Sequence, residues 1–147
     1  MIRRSLLEFT VLLAVAVGLS VGSWQLSPRE DEGAKCDPEG LEPGYICFDE
    51  AKTLPEVVWV DARPRELWER NGYPDSVLLT DHPSEDFSSL MAEAFEHLIS
   101  AQTVVVYCAT EGCGSSEPVA QKIKELDLLP AEQVFVLHGG WKALPQK

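Results

Sequence analysis

Cys108 closes the apolar run Thr103–Tyr107 and opens the segment Ala109, Thr110, Glu111, Gly112, Cys113, Gly114 and Ser115, after which a helical pattern begins at Ser116. On a strand-to-helix loop of this kind, loop amides and the positive end of the following helix converge on the cysteine sulfur. Such surroundings favour the thiolate, which is the nucleophilic form. The chemistry indicated is covalent catalysis by Cys108, with the amides of residues 109–115 stabilising negative charge on or beyond its sulfur. A cysteine that ends a β-run also serves as a small core hydrophobe, so position alone leaves both readings open. Cys113 is similarly double. In a C-x4-C spacing it acts as a resolving thiol for Cys108, or it simply fills space in the loop.

Two further segments belong with this one. Val57–Arg63 is an apolar run ending in Asp61-Ala62-Arg63, followed by Pro64–Arg70 and Gly72-Tyr73-Pro74. Gln133–Leu137 leads into His138-Gly139-Gly140-Trp141. The ordered set of strand with Asp-x-Arg, strand with Tyr-Cys and loop, and strand with Gly-Gly-Trp resembles the rhodanese (sulfurtransferase-like) family from about Tyr45 to the C-terminus. The resemblance implies a rhodanese-like three-layer α/β fold, with a central parallel sheet and helices on both faces. It implies no cofactor, and a Cys108 that carries sulfane sulfur as a persulfide between a small sulfur donor and a protein thiol acceptor. It gives Asp61 and Arg63 a supporting, mainly structural role. Two departures from the family pattern bear on activity. Asn71-Gly72-Tyr73-Pro74-Asp75-Ser76 stands where rhodaneses usually read Gly-His-Ile-Pro-Gly-Ala, and Cys113 stands where active members often carry an arginine. The loop holds no cation and one acid, Glu111. That composition favours neutral or protein-bound donors over thiosulfate. The alternative reading is a catalytically inactive rhodanese-like module that binds a partner or senses redox state through Cys108 and Cys113. A phosphatase is excluded because the phosphate-binding arginine of Cys-x5-Arg loops is missing.

Composition narrows the classes further. A chain of 147 residues with 45% hydrophobic side chains is one core-forming domain plus a short appendage. Its net charge of −12, with no basic patch, argues against nucleic-acid partners. His138 at a strand end is read as a surface histidine, Gly139 and Gly140 as a turn of unusual φ, and Trp141 as packing over the sheet edge.

The N-terminal residues differ in kind. Arg3 and Arg4 precede an apolar stretch from Leu6 to about Trp24. It is read as one hydrophobic helix, residues 1–24, that anchors the chain in a membrane as an uncleaved signal anchor; cleavage before Trp24 and secretion is the alternative. The arginine pair stays cytoplasmic, which sends the linker 25–44 and the domain 45–147 outward, to the periplasm in a bacterium. Export makes disulfides credible, and Cys36 and Cys47 flank a turn-rich segment that could bring them together. The irregular cysteine spacing argues against a metal site.

Periodicity supplies the frame. Helices are expected at Asp49–Leu54, Pro64–Arg70, Ser84–Ser100 and Ser116–Leu128, and strands at Val57–Val60, Val77–Leu79, Thr103–Tyr107 and Gln133–Leu137. Phe87, Leu90, Met91, Ala94, Phe95 and Leu98 form the expected inner face of the third helix, and Val119, Ile123 and Leu126 that of the fourth. Alternating strands and helices imply a parallel sheet with its site at the strands' carboxyl ends, where Asp61 and Cys108 both fall.

Overall fold

The computed structural model describes residues 36–109 and 114–145. The expected N-terminal helix, most of the linker and loop residues Thr110, Glu111, Gly112 and Cys113 lie outside the described residues. Among those described, no helix is long and apolar enough to cross a membrane.

Five strands form one sheet: β1 (Tyr45–Ile46), β2 (Val57–Asp61), β3 (Val77–Leu78), β4 (Thr103–Tyr107) and β5 (Val134–Leu137). Their spatial order is β1-β5-β4-β2-β3, and every pairing is parallel. Parallel neighbours need crossover connections, and four helices supply them: α1 (Phe48–Ala51), α2 (Arg65–Asn71), α3 (Phe87–Ser100) and α4 (Ser116–Glu125). The unbroken apolar run of β4 follows from its place at the centre, where all five residues are buried. Alternate residues serve opposite faces. Val104 and Val106 join Leu90, Ala94 and Leu98 of α3 and Val119, Ala120 and Ile123 of α4 in one apolar cluster. Val105 and Tyr107 join Ile46, Ala51, Leu137 and Leu144 in another, on the other face.

The strands and helices expected between residues 49 and 137 are present, with shifts that have local causes. β1 was not anticipated, because two residues carry no readable periodicity. It forms by pairing with Val136 and Leu137 of β5. α1 starts at Phe48 and ends at Ala51, with Cys47 rather than Asp49 before it. α3 starts at Phe87 instead of Ser84 because the Asp86 carboxylate accepts hydrogen bonds from the Ser88 and Ser89 amides. α4 stops at Glu125, and Asp127 turns the chain at a φ of 51°. Leu126 therefore falls outside the helix and is 43% exposed, not inward, and Phe95 on the flank of α3 is 42% exposed. Cys36 and Cys47 are joined by a disulfide, with their α-carbons 5.7 Å apart. It ties the segment before β1 to the start of α1, so an edge strand of two residues is held at its far end by a covalent bond.

Candidate functional site

β2 and β4 are central neighbours in register, with Asp61 opposite Tyr107. Because the strands are parallel, their carboxyl ends open on the same side, and the residues that follow them meet there. Cys108 is the first residue beyond β4. It is 1% exposed and belongs to the same buried apolar cluster as Val106, Val119 and Ala120. Its sulfur is disulfide-bonded, and no described cysteine is a free thiol. Cys36 and Cys47 are bonded to each other. The Cys108 carbonyl accepts the Trp141 amide at 2.6 Å, which ties the strand end to the turn after β5.

Of the expected loop residues, Ala109 and Gly114 are exposed and Ser115 is half-buried. Ser115 precedes α4 but makes no side-chain cap. The first turn of α4 carries Glu117, whose carboxylate accepts the Tyr45 hydroxyl from edge strand β1. An acid at this end offsets the positive pole that would stabilise a Cys108 thiolate. Sequence reasoning missed the Tyr45–Glu117 contact, since the residues are 72 apart and only the β1–β5 pairing brings them together.

Asp61 and Arg63 pair with each other, in the interior. Asp61 is 0% exposed and Arg63 3%. Arg63 Nε lies 3.0 Å from Asp61 Oδ1 and Nη2 2.7 Å from Oδ2, while the Arg63 backbone amide also bonds Oδ1 at 2.9 Å. The fork is completed outward: Arg63 Nη1 donates to Asn71 Oδ1 at 3.2 Å. This guanidinium is engaged by Asp61 and Asn71 and does not substitute for the missing loop cation. Tyr107 joins from β4, its hydroxyl donating to Asp61 Oδ2 at 2.8 Å and accepting the Tyr73 amide at 3.0 Å. Burial, and then the Asp61 charge, push the Tyr107 pKa well above its ordinary value.

Trp141 does not simply cover a sheet edge. Its ring stacks on the Arg63 guanidinium, 5.0 Å from centroid to carbon, and its indole N–H donates to the Asn71 carbonyl at 2.9 Å. The preceding turn needs the left-handed backbone that glycine allows: Gly139 has φ 76° and Gly140 φ 58°. His138 is half-buried, and its amide donates to the Ile46 carbonyl. One connected network thus runs from Tyr107 through Asp61, Arg63 and Trp141 to the Cys108 carbonyl. Among the described residues, no cluster of three His, Cys, Asp or Glu side chains could hold a metal ion.

A five-stranded parallel sheet, a cysteine leaving the central strand and a buried Asp-x-Arg pair on the neighbouring strand define a small α/β domain with its site at the strand ends. The chain belongs to the rhodanese-like domain family, whose model matches residues 48–147. No curated protein matches it. A solved structure, the N-terminal domain of a "putative ATP/GTP binding protein" from Clostridium difficile 630, shares the fold at 20% identity with a TM-score of 0.54. The match covers 67% of this chain and 94% of that one.

Proposed function

We propose that the domain does thiol chemistry at Cys108, cycling between a disulfide with Cys113 and a reduced pair. The observation that carries this reading is the disulfide on Cys108. Cys36 and Cys47 are joined to each other, and Cys113, five positions on, is the partner proposed for Cys108. A dithiol reductant opens the bond by thiolate attack: one thiol forms a mixed disulfide, the second resolves it, and two protons end on Cys108 and Cys113. The low positive charge at this strand end supports a module that is slow to present a thiolate and rests oxidised.

A second reading rests on family membership and on the place of Cys108 beyond the central strand. Reduced Cys108 attacks the outer sulfur of a sulfane donor, takes that sulfur as a persulfide and expels the donor's thiolate. A protein thiol then accepts the sulfur, and Asp61 and Arg63 support the site without touching it. Alternatively, Cys113 attacks the inner sulfur, releasing hydrosulfide and closing the disulfide, so both readings share one oxidised end state. No cofactor enters either scheme. The Cys36–Cys47 disulfide supports an oxidising location, and we place the domain outside the cytoplasm, tethered by residues 1–24 or secreted after cleavage.

Mass spectrometry of the peptide carrying Cys108 and Cys113 tests the scheme. The untreated chain is expected to show the linked pair, and the reduced chain to accept two alkyl groups. Two free thiols under oxidising conditions would refute the redox reading. One added sulfur on Cys108 after polysulfide, removed by cyanide and absent from Cys108→Ser, would put the sulfurtransferase reading first.

A further inference from the structure

A cleft of 420 Å³ lies between the C-terminal end of α2, the turn that follows it and the segment after β5. That volume is within the range of small-molecule sites. Its polar lining is dominated by donors. Arg70 is exposed, and its guanidinium has no ion pair or hydrogen bond among the described residues. Asn71 has its Oδ1 engaged by Arg63 and its carbonyl by the Trp141 indole, which orients its amide nitrogen as a donor with both hydrogens to spare. The Tyr73 amide is taken by Tyr107, while its hydroxyl has no partner among the described residues. Around these donors stand flat or apolar walls, chiefly Trp68, Trp141 and Leu144. Glu69 is the single acid lining the cleft.

We propose that this cleft binds a small monocarboxylate with a flat apolar body. A guanidinium fork takes both oxygens of a carboxylate, and the Asn71 amide adds a donor in the same lining. The indole and prolyl walls suit a planar hydrocarbon body, which aromatic surfaces hold by offset or edge contact. A multiply charged anion is disfavoured, because Glu69 is in the lining and the whole chain carries a net charge of −12. The Asn71 donor is held in place from beneath by Arg63 and Trp141, both part of the buried network, while Arg70 is left free to close on the ligand. The site does not draw on the sulfur chemistry proposed above, and its test is independent of Cys108.

Indole-3-acetate is the probe, titrated into the full chain while the Trp141 indole N–H resonance is followed by NMR. A saturable shift is expected, and indole-3-acetamide, the uncharged isostere, should bind at least about tenfold more weakly, a 1.4 kcal/mol difference. Arg70→Gln should weaken binding by a similar factor, with Arg70→Lys in between. Asn71→Asp keeps the acceptor for Arg63 but replaces the donor with an oxygen, and should also abolish the preference for the acid. No saturable shift at any soluble concentration, equal affinity for acid and amide, or an unchanged affinity in Arg70→Gln would each overturn the proposal.

Discussion

The Asp61–Arg63 pair offers the sharpest test of how the site is built. The Asp61 carboxylate accepts five hydrogen-bond contacts, four from the backbone amide, Nε and Nη2 of Arg63 and one from Tyr107, and it has no exposure to solvent. Asp61→Ala removes all five acceptor contacts and leaves a guanidinium with 3% exposure lacking its counter-charge. Breaking one side of a buried pair costs about 3–5 kcal/mol. That is a large share of the roughly 5–15 kcal/mol that holds a domain of this size together. Urea unfolding of the oxidised chain, followed by tryptophan fluorescence, should therefore show a midpoint far below that of the parent. The double variant Asp61→Ala/Arg63→Met removes the orphaned charge as well and should lose clearly less than the sum of the two single changes. A cost for Asp61→Ala below about 1 kcal/mol, the range of exposed pairs, would refute the reasoning, as would strict additivity in the double variant.

Three other outcomes follow from the same geometry. The folded-state pKa of Tyr107 is raised, so the unfolded chain releases this proton first; stability from Tyr107 is whole below its ordinary value of 10.0 and is lost as pH rises above it. Unfolding titrations should show that alkaline loss at up to about 1.4 kcal/mol per pH unit, and Tyr107→Phe should flatten it. Gly72→Ala would set a methyl carbon 2.7 Å from the Trp68 carbonyl oxygen and 2.8 Å from its ring, with backbone on one side unable to yield. Thermal melts should register a loss of about 1–3 kcal/mol. Replacing Cys36 and Cys47 together by alanine opens a loop with a sequence separation of 11 and should lower stability by about 3 kcal/mol, with β1 amides losing hydrogen-exchange protection first.

Much of the frame was legible because it depends on local pattern. The unbroken apolar run Val57–Val60 reads as a strand covered on both faces, and the spacing of Leu90, Ala94 and Leu98 marked the inner stripe of α3. Helix edges were less so: a flank residue such as Phe95 has the same chemistry as a core residue, and only the packing decides how much of it is covered. Asp61 ends β2 and Cys108 follows β4, and a parallel sheet puts these carboxyl ends on one side.

What the order of residues determined by itself was the alternation of strands and helices, the ends at which the charged and thiol groups emerge, and the absence of a cation in the loop after Cys108. Tertiary structure decided which of those groups meet. It consumed the Arg63 guanidinium internally, set the Tyr45 hydroxyl against Glu117, and bridged Trp141 both to Asn71 and to the Cys108 carbonyl. These contacts span separations up to 72 residues and depend on strand order β1-β5-β4-β2-β3. Strand order is a property of how crossovers wrap the sheet, and no periodicity within a single segment encodes it.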